Sequence, residues 1–128
     1  MARFLLDASA VLALMSGESG SERVAELLLR DEAAITTTNL AEVATKLVAR
    51  GLRPAEAESA CRSMALRTIA LDDETAFDAA ALWPVAQPLG LSLGDRICLA
   101  TAARQGWVAV TADRAWSKLQ GLKVELIR

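Results

Sequence analysis

Histidine is absent from this chain, and that gap alone removes a large part of enzyme chemistry. Without an imidazole there is no Ser-His-Asp relay, no histidine-base ribonuclease mechanism, and no histidine-ligated zinc or haem. The only two cysteines, Cys61 and Cys98, fall short of the four thiolates an all-cysteine zinc site requires. Neither charge dominates: 14 basic residues against 16 acidic ones give a formal charge of -2, so this is not a basic nucleic-acid carrier. No apolar run approaches the length of a membrane span. Repeats and low-complexity tracts are missing too, and the three prolines are scattered. Any metal chemistry must therefore use carboxylates and water, which suit Mg2+ or Mn2+.

What is present is enough for one domain. The 128 residues are 53% hydrophobic and 23% charged, which excludes a disordered chain. The opening MARFLLDASAVLALM superficially resembles a secretory signal, but Asp7 interrupts it. A carboxylate at the centre of an inserting segment costs roughly 2.5–3.5 kcal/mol, and no A-x-A cleavage site follows at the right distance. The expectation is a soluble, cytoplasmic protein with no membrane partner and with reduced thiols.

Short apolar runs alternate with helical periods. Phe4-Leu5-Leu6 reads as a strand, followed by a helix through Val11, Leu12 and Met15 that Gly17 and Gly20 break. Glu22 to Arg30 is helical and Ala33 to Thr37 a second strand. Leu40, Val43, Ala44, Leu47 and Val48 keep the i, i+3, i+4, i+7, i+8 pattern as far as Gly51. Pro54 opens another helix towards Met64, Thr68 to Leu71 is a third strand, and Glu74 to Trp83 is a helix that Pro84 kinks or ends. Asp95 to Ala103 is helical, Trp107 to Thr111 a fourth strand and Val124 to Ile127 a fifth. Short, almost wholly apolar strands separated by helices predict an α/β three-layer sandwich around a parallel sheet.

Ligands of such sheets bind beyond the carboxyl ends of the strands, so the polar residues there matter most. Asp7 follows the first strand, with Ser9 two residues on. Glu42 lies in the first turn of the helix after the second strand, Asp95 in the first turn of its own helix, and Asp113 after the fourth strand. Each has a purely structural role open to it. Asn39 and Glu42 have capping-box spacing, as do Ser92 and Asp95, and Glu42 can pair with Lys46. Asp72 and Asp73 read as an ordinary helix cap. Asp7 is harder to explain structurally, because it stands where an apolar residue is expected. Jointly, four acids at one sheet edge repel one another unless a divalent cation is held there, an arrangement suited to metal-assisted phosphodiester hydrolysis.

The segments FLLDASAVLAL, TTTNLAEVATKL, GLSLGDRICLATA and VAVTADRAW, in this order and spacing, resemble the PIN-domain ribonucleases, and specifically the VapC-like toxins of type II toxin–antitoxin pairs. The resemblance spans essentially the whole chain and places Asp7, Glu42, Asp95 and Asp113 on the family's acidic Mg2+- or Mn2+-binding catalytic positions. It places Ser9 and Thr111 on recurrent hydroxyl positions nearby. It implies a five-stranded parallel sheet of order 3-2-1-4-5, with Asp7 and Asp113 as neighbours and Asp72 and Asp73 on an edge strand. It also implies an endoribonuclease acting on structured RNA, a homodimer, and a small cognate antitoxin that inserts a basic side chain into the acidic site.

Two bound divalent ions would bring the formal charge from -2 to +2. Arg96 and Arg114, each directly after one of the acids, are candidates for RNA contact, with Lys46, Arg50, Arg53 and Lys118 close in sequence. Trp107 and Trp116 can stack on bases, although burial in the core is the expected fate of tryptophan. A receiver-type signalling domain fits the size but needs paired acids after the first strand and a lysine after the fifth; here one acid follows the first strand. A non-catalytic PIN-like module that binds RNA or a partner is the remaining alternative, which a metal-dependent nuclease assay separates from the enzyme.

Overall fold

The computed structural model describes residues 2–128. Five strands form one sheet: β1 (Phe4–Leu6), β2 (Ala33–Thr36), β3 (Arg67–Ile69), β4 (Val108–Thr111) and β5 (Val124–Leu126). All pair in parallel, in the order 3-2-1-4-5. Between them run α1 (Ala8–Met15), α2 (Ser21–Leu29), α3 (Thr37–Ala49), α4 (Pro54–Ser63), α5 (Asp73–Ala81), α6 (Trp83–Ala86) and α7 (Leu93–Gln105).

The register explains the two cores. Leu5 lies level with Ala34 and Ala109, and Leu6 with Ile35 and Val110. Side chains alternate across a strand, so these two rows face opposite ways. The Leu6 row packs with Val11, Val24, Val43 and Leu47 of the first helices. The Leu5 row packs with Cys98, Leu99, Ala102 and the wholly buried Trp116. A third, smaller group of Ala79, Ile97 and Ala100 joins α5 to α7. Burying a Leu, Val or Ile side chain contributes about 1.5–3 kcal/mol each. Central strands with both faces covered explain why β1, β2 and β4 contain almost nothing but apolar residues.

Four local expectations need correction, the first being that Glu42 lies not in the first turn of its helix but in the second, since α3 begins at Thr37. The helix expected from Glu74 to Trp83 ends at Ala81, and Trp83–Ala86 forms a separate turn. Pro84 sits at the start of that turn, where its missing N–H is not needed. The third strand begins and ends earlier than expected, at Arg67–Ile69. The predicted Asn39–Glu42 capping box does not form, because the N-cap of α3 is Thr36, whose hydroxyl accepts from the Asn39 N–H at 3.0 Å. Asp72, by contrast, caps α5 as expected by accepting from the Thr75 N–H at 2.8 Å.

The sheet order creates the cleft. From β1 the chain moves outward to β2 and β3, then crosses to β4 and β5 on the other side. The connections therefore diverge between β1 and β4, the switch point beyond whose carboxyl ends open α/β sheets place their ligand crevice. Gly20, at the turn between α1 and α2, packs against Ile127, the residue after β5. It has φ +94°, and a Cβ there would lie 2.6 Å from the Ile127 carbonyl oxygen, so only glycine fits.

Candidate functional site

Asp7 is the residue that β1 delivers into this crevice. Its N–H extends the β1–β4 ladder to the Val110 carbonyl at 3.0 Å, and its carboxylate then caps α1 through the Ala10 N–H at 2.8 Å. The side chain is buried. The Ser9 hydroxyl lies 2.7 Å from Oδ1 and 2.9 Å from Oδ2, and the Thr111 hydroxyl donates to Oδ2 at 2.6 Å. Three donated protons serve roughly four lone-pair sites, so one acceptor site is left over. Burial pushes the Asp7 carboxyl up to about 6; the donors Thr111, Ala10 and Ser9 offset part of this, and the nearby Asp95 charge adds to it.

The same two hydroxyls knit β1 to β4. Ser9 Oγ accepts from the Ala112 N–H at 2.9 Å, and Thr111 Oγ1 accepts from the Asp113 N–H at 3.0 Å. Asp113 is exposed, and its Oδ1 accepts from the Ala115 N–H at 2.9 Å to open the 3-10 turn Arg114–Lys118.

Glu42 enters from α3 and Asp95 from α7. The Asn39 side-chain amide donates to Glu42 Oε1 at 2.5 Å and makes a longer contact of 3.4 Å to the Gly94 carbonyl. No ion pair joins Glu42 to Lys46 among the described residues. Gly94 lies directly against the Glu42 carboxylate: a Cβ there would sit 2.2 Å from Oε1. Asn39 is wholly buried, yet its Oδ1 has no hydrogen-bond partner among the described residues. An unsatisfied buried acceptor costs about 1–3 kcal/mol. Asp95 forms the expected capping box, accepting from the Ser92 N–H at 2.8 Å and donating its own N–H to Ser92 Oγ at 3.2 Å. Burial raises the Asp95 carboxyl, and the Asp113 charge contributes a smaller push in the same direction.

The four acids therefore belong to one neighbourhood. Asp7 feels Asp95, and Asp95 feels Asp113. The fully buried Cys98 thiol is pushed well up, first by burial and then by the charges of Asp7, Asp95 and Glu42. None of the ion pairs found among the described residues involves any of the four. Capping and ligation are compatible, since the bonds of Glu42, Asp95 and Asp113 each engage a single oxygen. Hard oxygen donors with no lysine or arginine paired to them among the described residues have the chemistry that Mg2+ or Mn2+ takes. The carboxylates nevertheless stand apart: among the described residues, no three acidic or thiol groups converge into a ready-made cage.

Several sequence candidates are placed elsewhere. Arg96 turns its guanidinium to α5, donating to the Ala79 carbonyl at 3.0 Å. Arg114 and Lys118 are exposed beside Asp113. Trp116 is sealed in the core, and Trp107 precedes β4 at the opposite end of the sheet from the acids, under the Arg67 guanidinium at 5.8 Å. Asn39 and Gly94 are the participants that sequence reasoning missed. Their signals were the N-x-x-E spacing, read as a cap, and a glycine immediately before Asp95.

The PIN domain family matches residues 4–122. No curated protein sequence matches the chain. Among solved structures, the chain is similar to a DNA-bound VapBC from Salmonella typhimurium, with TM-score 0.75 and 18% identity over 100% of both chains. A toxin-antitoxin complex from Klebsiella pneumoniae superposes with TM-score 0.73 and 20% identity over 97% of both chains. VapBC-5 of Mycobacterium tuberculosis, at 26% identity, covers 98% of both chains with TM-score 0.66. With a five-stranded parallel sheet of order 3-2-1-4-5 and a family match over nearly its full length, the chain belongs to the PIN domain family.

Proposed function

We propose that this protein is a VapC-like toxin: a Mg2+- or Mn2+-dependent endoribonuclease whose partner is a small antitoxin. The observation that carries the reading is a buried, hydroxyl-held Asp7 at the sheet's switch point, electrostatically coupled to Asp95 and through it to Asp113, with Glu42 entering from α3 and, among the described residues, no cationic side chain paired to any of the four. The fold shared with VapBC complexes supports it.

Asp7, Glu42, Asp95 and Asp113 would hold the divalent ion, which when bound would supply charge to activate water and steady the leaving oxygen. The chain's own residues do the rest. Ser9 and Thr111 fix Asp7, Ser92 fixes Asp95, and exposed Arg114 is placed to meet a backbone phosphate of RNA. With no histidine to take a proton from a 2′-hydroxyl, the expected products carry 5′-phosphate and 3′-hydroxyl ends.

The test is cleavage of RNA by purified protein with Mn2+ and with EDTA. Asp7→Asn, Glu42→Gln, Asp95→Asn and Asp113→Asn should each reduce cleavage at least ~100-fold, more than loss of a supporting group costs. Asp72→Asn should leave it unchanged. Full activity in EDTA, or 2′,3′-cyclic phosphate products, overturns the reading.

Two surfaces suit the expected partners. A groove of about 1010 Å3 between α3 and α4, lined by Leu40, Ala44, Val48, Pro54, Ala57 and Cys61, fits the apolar face of an antitoxin helix. Val48→Asp in that groove should abolish co-purification of the antitoxin encoded by a neighbouring small reading frame while RNA cleavage persists. The exposed apolar side chains of Phe77, Trp83, Val85 and Leu93 suit contact with a second copy in a homodimer. Such a protein works in the cytoplasm; no helix among the described residues is long and apolar enough to cross a membrane.

A further inference from the structure

We infer that Asn39 and Gly94 form a notch that positions the Glu42 carboxylate, Asn39 by donating to it and Gly94 by leaving room for it. The inference rests on the nuclease reading above and adds two positioning residues to its four acids.

The notch is built from opposite sides of the crevice. Asn39 projects from the first turn of α3, held there because its own N–H is bound by Thr36 Oγ1. Its amide reaches Glu42 Oε1 at 2.5 Å and the Gly94 carbonyl at 3.4 Å, so one side chain spans α3 and α7. From the α7 side, any Cβ at residue 94 would lie 2.2 Å from Oε1, 2.6 Å from Cδ and 2.8 Å from Oε2 of Glu42. The carboxylate thus occupies the space that an ordinary side chain at position 94 would fill. Gly94 has no positive φ, so its backbone does not require glycine; the contact with Glu42 does.

A purely structural role fits poorly. Asn39 is wholly buried with its Oδ1 unpartnered, a poor arrangement for a residue that serves only stability. An apolar side chain would leave no orphan at this position. Glycine in the first turn of α7 likewise adds nothing to stability, since alanine is the better helix former. Both unfavourable choices converge on the same carboxylate. Glu42 is held by the Asn39 amide alone, with no ion pair among the described residues, so its direction depends on the notch.

The experiment compares Gly94→Ala, Asn39→Ala and wild type by thermal melting in EDTA, by Mn2+ titration and by RNA cleavage. The clash in Gly94→Ala is with the far end of a flexible side chain, so its melting temperature in EDTA should equal or exceed that of wild type. Its Mn2+ affinity and cleavage rate should each fall about tenfold or more. Asn39→Ala should show the same two losses. In a Glu42→Gln background, neither substitution should weaken the residual Mn2+ binding further, because the group they act through is already gone. A merely structural role predicts the reverse: lower melting temperatures, with Mn2+ affinity preserved in the folded fraction. Wild-type Mn2+ affinity and cleavage in both variants, with Glu42→Gln defective, overturns the notch and leaves the nuclease reading standing. A wild-type protein that neither binds Mn2+ nor cleaves RNA overturns the nuclease reading, and the notch with it.

Discussion

Asp7→Asn protein should lose RNA cleavage yet, in EDTA at pH 7.5, melt at a higher temperature than wild type. The gain follows from the cost of ionising a buried carboxyl. Asp7 is 2% exposed, and burial raises its carboxyl from the usual 3.8 to about 6. Between these values the folded protein holds a proton that the unfolded chain has released, so stability falls as pH rises through the interval. Below about pH 4 the penalty is absent, and above pH 6 it is complete. A gap of about two units corresponds to about 3 kcal/mol at most. Asparagine carries none of this cost, and its carbonyl still accepts from the Ala10 N–H and from Ser9. The Thr111 hydroxyl, which donates to Asp7 Oδ2, must turn to accept from the new amide, which returns part of the gain. The expected net advantage is about 1–2 kcal/mol at pH 7.5, closing by pH 4. Melts of both proteins from pH 4 to 8 in EDTA measure it. A wild type that is the more stable by a constant margin at every pH would show that ionised Asp7 carries no burial cost.

Asp113→Asn should separate ligation from capping. Asparagine replaces aspartate in a cap with little loss, so the bond from the Ala115 N–H survives. The substitution also removes a charge that pushes the Asp95 carboxyl up. Without metal, the variant should match wild type or slightly exceed it. With millimolar Mn2+ the order should reverse, since an ion bound only to the native state adds about 2.7 kcal/mol at a hundredfold excess over Kd. The variant should keep well under half of that gain. Equal metal responses in the two proteins would remove Asp113 from the ligand set.

The layered fold was legible because apolar strands and amphipathic helices alternate without interruption. The strand order came from the resemblance to PIN domains, since periodicity carries no information on which strands pair. The failures trace to particular residues. Thr36, Thr37, Thr38 and Asn39 are four successive residues able to cap a helix, and spacing cannot choose among them. The structure selects Thr36 and frees Asn39 to meet Glu42. In sequence, Arg96 reads as a candidate for RNA contact because it directly follows the acid Asp95. On a helix, however, adjacent residues point in different directions, and α5 supplies the carbonyl that holds it. The contact of Gly94 with Glu42 joins residues 52 positions apart, and no local pattern records it.

Cys98 lies beneath the acids with its sulfur fully enclosed, and burial together with three neighbouring carboxylates disfavours its thiolate. Alkylating reagents attack the thiolate, so this sulfur is silent while α7 stays seated on the sheet. Its modification requires the helix to lift, which makes the labelling rate a clock for opening of the crevice floor. A ligand that clamps α7 to β1 and α3 slows that clock, and one that binds only the outer surface leaves it running at its original pace. With Cys61, the other cysteine, replaced by serine, the Cys98 sulfur thus becomes a built-in reporter of whether the carboxylates above it are engaged.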